Sequence, residues 1–283
     1  MAGKPSIAII GPGRLGAALG LALAEAGFPV EEMVCRNKPT SLRKARELAK
    51  KLGAARVTLP QSPLKADLLW LCVPDREISR VARELAGTTP RGKIAFHSSG
   101  ALASDELRAL RKRGMAVASV HPMMTFVGGS VTSFRGVPWG LEGDKAALRM
   151  ARRIARALGG ESFVLSKQAK PAYHAWGAFL SPLLVAALVA SEQAARAAGL
   201  SAAEARKRMM PIVGQTLANY AALGPAGAFS GPLVRGDTEV VRMHLKALKK
   251  TPESRRVYLA LAQTALRHLP VGRKKQVQRV LST

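Results

Sequence analysis

Cysteine is nearly absent from the 283 residues: Cys35 and Cys72 are the only two, with no C-x-x-C pair and no histidine spaced to complete a zinc site. Neither a disulfide framework nor a metal centre is indicated. Aromatic residues make up only 5%, too few to supply the stacking platforms that nucleic-acid binders interleave with their basic residues. Acidic residues are scarce as well, 18 against 44 Lys and Arg, which leaves a net charge of +26. Such a field attracts nucleic acid, anionic membranes and phosphorylated ligands alike, and does not decide a fold. The basic residues, however, recur at helical spacing through Arg43–Lys51, Arg149–Arg156 and Lys246–Arg256, the pattern of solvated helix faces, and only Arg273-Lys274-Lys275 is compact. Nucleic acid is therefore not the expected partner. One apolar stretch raises the question of a membrane span: Ala175–Ser191 carries no charge. It sits at the lower limit of the roughly 17–25 residues of a membrane span. Gly177, Ser181 and Pro182 interrupt it, so the expected reading is no membrane but a helix buried on all sides, in a bundle or a dimer. The first apolar stretch runs straight into a glycine turn, unlike a signal peptide, and a cytoplasmic location is expected.

What is present is organised around the N-terminus. Ser6–Ile10 is an apolar run of strand type, Gly11-Pro12-Gly13-Arg14-Leu15-Gly16 follows, and Ala17–Ala26 reads as helix. In this G-x-G-x-x-G spacing the first glycine makes the tight turn, the second lets the backbone approach a pyrophosphate, and the third lets helix and strand pack closely. The helix N-terminus offers free N–H groups to phosphate. A second strand, Glu31–Cys35, ends in Arg36-Asn37. An acidic residue there would hold the ribose hydroxyl of NAD, whereas Arg suits the extra phosphate of NADP. Arg43 and Lys38 add to that charge, and NADP(H) is the expected cofactor.

Further strands are expected at Arg56–Thr58, Asp67–Val73, Lys93–Phe96, Met115–Val120, Val137–Leu141 and Glu161–Leu165, alternating with helices. That alternation predicts an α/β fold with a doubly wound parallel sheet. Ligands bind outside the carboxyl ends of such strands, where Val73-Pro74-Asp75, His97-Ser98-Ser99-Gly100 and His121-Pro122 fall. Met123–Arg135 is an irregular segment suited to a flap. From Lys167 the period changes to helices, expected at Lys170–Ala198, Ser201–Tyr220, Val234–Leu248 and Pro252–Leu269. Two domains follow: 1–166, which binds the dinucleotide, and 167–283, all-helical, for substrate and dimerisation.

Lys170 and His174 lie one turn apart on the first of those helices and share a face. A Lys whose pKa is lowered by partial burial suits proton donation to a carbonyl or imine under reduction. Ser98, Ser99, Gly100 and His121 are candidate substrate contacts from the strand ends. For the histidines, substrate orientation and simple anchoring of a loop are equally open. In Gly231-Pro232-Leu233-Val234-Arg235-Gly236-Asp237, Arg235 is suited to a substrate carboxylate, and Asp237 to a hydroxyl or, more commonly, to a helix cap.

Taken together, the glycine turn, Val73-Pro74-Asp75, His97-Ser98-Ser99-Gly100-Ala101, Ser119-x-His121-Pro122, Lys170-x-x-Tyr173-His174-Ala175 and Gly231-Pro232-x-x-Arg235-Gly236-Asp237 resemble a family of Rossmann-like NADP oxidoreductases with a helical C-terminal domain of formerly unknown function. The group is similar to ketopantoate reductases, 3-hydroxyisobutyrate dehydrogenases and pyrroline-5-carboxylate reductases. The resemblance implies a helical domain like that of 6-phosphogluconate dehydrogenase, a homodimer through that domain, and a catalytic role for Lys170. His174 stands where the hydroxyacid enzymes have Asn, and Ser181-Pro182 where the family has Ser-Asn. It further implies NADPH-dependent reduction of a small carboxylated ketone, with ketopantoate the named candidate. An imine substrate of the pyrroline-5-carboxylate type, and a non-catalytic NADP sensor, are the alternatives.

Overall fold

The computed structural model describes residues 3–53, 56–88, 93–128 and 133–282. The strands are β1 (Ile7–Ile10), β2 (Val30–Val34), β3 (Arg56–Thr58), β4 (Leu68–Leu71), β5 (Ile94–His97), β6 (Ala116–Pro122), β7 (Pro138–Gly143) and β8 (Glu161–Val164). The helices between and beside them are α1 (Arg14–Glu25), α2 (Pro39–Lys51), α3 (Ile78–Ala86), α4 (Arg108–Arg111), α5 (Lys145–Ala157) and α6 (Lys170–Leu180). The strands form one sheet in the order β3-β2-β1-β4-β5-β6-β7-β8. Order reverses between β1 and β4, and at such a switch point a crevice opens outside the strand ends.

One pairing departs from the all-parallel expectation: β6 and β7 are antiparallel, with His121 opposite Gly140. A parallel return needs a crossover, usually a helix, and no helix is found among the described residues of the connection between them. Part of the segment expected to act as a flap, 129–132, lies outside the described residues. Alternate strand residues point to opposite faces, so each strand feeds two cores. Ile7, Ile9, Met33, Trp70 and Phe96 pack with Leu19 and Leu23 of α1 on one face. Ala8, Ile10, Leu69 and Leu71 pack with Ile78, Val81 and Leu85 of α3 on the other.

The chain divides into two compact units, Met1–Phe179 and Leu180–Thr283. The division falls after α6, not at the expected 166/167, because Lys170 and Tyr173 of α6 are buried and bond to residues of β6 and the β5 loop. The second unit holds α7 (Pro182–Ala197), α8 (Ala202–Ala228), α9 (Pro232–Arg235), α10 (Thr238–Ala247), α11 (Pro252–His268) and α12 (Lys274–Leu281). Its own core is small: Val241, Leu245, Ala262, Leu266, Val277, Val280 and Leu281. The helix expected to run unbroken from Lys170 is divided at Ser181, since the following Pro182 has no N–H to continue the ladder. By length and composition alone Lys170–Ala197 is long and apolar enough to cross a membrane. No residue of α7 is buried within the chain, so of the two expected settings, a bundle or a dimer, the chain's own helices do not supply burial on all sides.

Candidate functional site

The glycine turn has the local geometry its spacing implies. Gly11 takes φ +107°, a region L side chains rarely adopt, and a Cβ there would lie 2.8 Å from the Cys72 carbonyl oxygen. At Gly16 a Cβ would overlap the Gly11 carbonyl oxygen, so helix and turn touch through backbone alone. Around Gly13, by contrast, a Cβ would meet nothing within 4 Å. Gly13 is also the N-cap of α1 and carries no capping side chain, leaving the first N–H groups of the helix open to an anion.

A cavity of about 330 Å³ opens beside this turn. It is lined by Gly11, Gly13, Val73 and Pro74 of the turns, by Arg36, Thr40, Ser41 and Lys44, and by Glu77, Arg80 and Glu84. Arg80 is held by Glu77, with Nη2 2.6 Å from the carboxylate, and by Glu84. Thr40, Ser41 and Lys44 were not among the residues expected from sequence. The signal was present, because positions 40 and 44 are i and i+4 on α2 and share a face. Arg14, Leu15, Asn37, Arg43 and Asp75 do not line the cavity; Arg43 turns outward to Glu47 at 3.8 Å.

A second cluster forms where β5 and β6 end. Lys170 has no exposed surface. Its Nζ donates to the Ser99 carbonyl oxygen at 3.1 Å and to Ser119 Oγ at 2.6 Å, and Ser119 Oγ donates in turn to the same carbonyl. Burial lowers its pKa to about 8, with Glu142 and Asp75 pulling the other way. Glu142 is itself buried and accepts from Ser104 N and Ser104 Oγ. Ser99 Oγ donates to Asp75 Oδ2 at 2.7 Å, tying the turn after β4 to the loop after β5. Asp75 thus serves as an acceptor for that loop and makes no helix-capping bond.

The two strand-end histidines differ. His97 is fully buried; its Nδ1 accepts from Ser99 N and its Nε2 bonds the Ala103 carbonyl oxygen, so it anchors its own loop. His121 Nδ1 lies 2.8 Å from the Tyr173 hydroxyl, and its ring packs edge-on to Tyr173 and to His174, with centroids 5.5 and 6.0 Å apart. Burial, reinforced by the Lys170 charge, lowers both His97 and His121 to about 4. Burial pushes Tyr173 up to about 12. Gly100 sits below this group: a Cβ there would lie 2.5 Å from His174 Cδ2 and 3.0 Å from His121 Nε2. Ser98 Oγ accepts from the Trp70 indole at 2.8 Å. Sequence reasoning had not placed Ser119, Tyr173 and Glu142 in the site.

Arg235 and Asp237, in the second unit, pair with one another, Nε to Oδ2 at 2.7 Å. Asp237 occupies the N-cap position of α10, but its side chain makes no capping bond.

Among solved structures the chain is similar to a candidate NADP oxidoreductase from Bacteroides fragilis, at 21% identity, TM-score 0.75 and coverage of 92% of this chain and 97% of that one. The fold is Rossmann-like. Protein TM1727 from Thermotoga maritima is similar at 24% identity and TM-score 0.70, over 98% of both chains. A reductive aminase from Aspergillus terreus, solved with NADPH and ethyl-5-oxohexanoate, is similar at 18% identity and TM-score 0.63, over 98% and 99%. Residues 2–122 match the model of a Rossmann-like domain, and residues 137–265 that of a domain of unknown function, DUF2520. No curated protein matches the chain at a significant level.

Proposed function

We propose that this chain is an NADP(H)-dependent oxidoreductase that reduces the C=O or C=N bond of a small molecule. The observation that carries the reading is the cavity beside the glycine turn. It combines an open backbone at Gly13, where a pyrophosphate would approach, with two cations and two hydroxyls, Arg36, Lys44, Thr40 and Ser41, suited to a ribose 2′-phosphate. When bound, NADPH supplies a hydride. The chain's own contribution is the cluster at the ends of β5 and β6, where His121 and His174 meet over the bare backbone of Gly100 and Lys170 is buried against Ser99 and Ser119. Ketopantoate and cyclic imines are both candidates. The imine class gains support from the similarity to the reductive aminase and to an imine reductase from a Pseudomonas species.

The second unit pairs with another copy of this chain through α7 and α8. Val185, Val189, Ile212, Leu217 and Leu223 leave apolar surface in water there, and Pro182–Ala190 carries no charge, so two strongly basic chains meet on that face without opposed cations.

The deciding experiment follows NADPH and NADH consumption against ketopantoate, other 2-oxo acids, pyrroline-5-carboxylate, cyclic imines and ketone–amine mixtures. Turnover that prefers NADPH is expected. Tight NADPH binding without turnover of any compound would replace the enzyme reading with that of a dinucleotide sensor.

A further inference from the structure

Lys170 and His121 differ in what they can reach. The Lys170 ammonium is shut from solvent and bonded to Ser99 and Ser119. The His121 ring is only partly buried. Its Nδ1 is taken by Tyr173, and among the described residues no hydrogen bond takes its Nε2, which faces the space left by the missing side chain of Gly100.

The Tyr173 hydroxyl packs on the bare backbone of Gly140, 2.8 Å from where a Cβ would stand, and its partner is His121 Nδ1. A neutral imidazole carries one N–H and a phenol one O–H. Where the phenol donates to Nδ1, the ring's own proton resides on Nε2. Tyr173, Lys170, His97 and His174 are the titratable groups around the ring, and the buried cation among them disfavours a second positive charge.

We propose, resting on the reductase reading above, that His121 gives its Nε2 proton to the heteroatom of the bond being reduced and is supported at Nδ1 by the proton of Tyr173. As hydride adds to the carbon, the π pair moves onto oxygen or nitrogen. The Nε2–H bond breaks, the new O–H or N–H bond forms, and the Tyr173 proton crosses to Nδ1. A proton from solvent water then enters at Nε2 while the Nδ1 proton returns to the phenol oxygen. Lys170 is in this scheme a positioning residue, holding Ser99 and Ser119 and keeping the imidazole neutral. A donor at Nε2 needs a lone pair opposite it, so the substrate atom is a carbonyl oxygen or an unprotonated imine nitrogen, not the N–H of an iminium.

The test uses the full chain with nitrogen-15 histidine, the His121 signals being assigned by His121→Gln. His121 is expected to carry its proton on Nε2 and to stay neutral down to about pH 5. Tyr173→Phe is expected to populate both tautomers, and Lys170→Met to move the titration toward the ordinary histidine range. In turnover of a ketone with NADPH, Tyr173→Phe is expected to lower kcat about tenfold with KM within about twofold, and His121→Ala to lower kcat about 10²–10⁴-fold. His121→Gln, which keeps an N–H donor, restores part of that loss. A proton on Nδ1, an ordinary His121 titration, or Tyr173→Phe with unchanged kcat overturns the proposal. If NADPH is oxidised by no carbonyl or imine compound while the tautomer is as expected, the reductase reading fails and takes the relay with it, an outcome distinct from failure at the ring.

Discussion

At the scale of single residues, Gly100 is the most informative position. Alanine there would press against His174 and His121 Nε2, and the His121 ring is held in place by its bond to Tyr173. Gly100→Ala is expected to lower kcat at least tenfold while NADPH affinity, measured by fluorescence titration, stays within about twofold, because the cofactor cavity lies at other loops. A second residue-scale consequence concerns pH. His97 and His121 are held near 4, below the ordinary value of about 6.5. Between those values the unfolded chain binds more protons than the folded one, so stability rises with pH through that window and levels off above it. Acidification from about pH 6.5 to 4 should cost on the order of 3 kcal/mol per ring. Thermal melts should show the midpoint falling over that range, and His97→Gln should remove a large part of the slope. A midpoint independent of pH there would contradict the burial of both rings.

At the scale of elements, the turn after β2 and the N-terminal half of α2 are the parts that would distinguish the two dinucleotides. Arg36→Ala and Lys44→Ala are each expected to raise the NADPH dissociation constant about tenfold and to leave that of NADH nearly unchanged, as titration calorimetry would show. Arg43→Ala, whose side chain is 72% exposed and turned to Glu47, should do neither. The contrast marks what the sequence could convey. The order of strands and helices followed from apolar runs and glycine punctuation, and the turn from Gly11 to Gly16 was legible because each glycine answers a local steric demand. Which of Arg43 and Lys44 faces the cavity depends on the rotation of α2, set by Ala45, Leu48 and Ala49 packing inward, and a charge run alone does not fix it. The antiparallel β7 was missed because a strand's direction is not written in its composition. Tyr173 and Ser119 join the site only through tertiary contacts with residues 52 and 51 positions away. The division at Ser181 was visible as Pro182, yet the surrounding apolar run outweighed it.

At the scale of the whole molecule, the exposed apolar residues of α7 and α8 set the expected assembly. The chain should sediment as a dimer at micromolar concentration, and Val185→Glu or Leu217→Glu should shift it to monomer, since a carboxylate in an apolar interface loses its hydration without gaining a partner. A monomeric native protein that floats with lipid vesicles would instead assign that face to a bilayer. The +26 charge bears on the same question, because repulsion between copies is screened by salt. Dimerisation should therefore tighten as ionic strength rises, whereas binding to anionic vesicles should weaken.

The enclosure of Lys170 gives one amine in the chain a separate chemical history. An acylating reagent applied near pH 8 attacks whichever lysines present a free amine to solvent, and the surface lysines should react together and early. Lys170 becomes available only when α6 lifts from Ser99 and Ser119, so its labelling should trail the others and proceed at the pace of that opening. The lag, read residue by residue in a mass spectrometer, would convert a static burial into a local opening free energy.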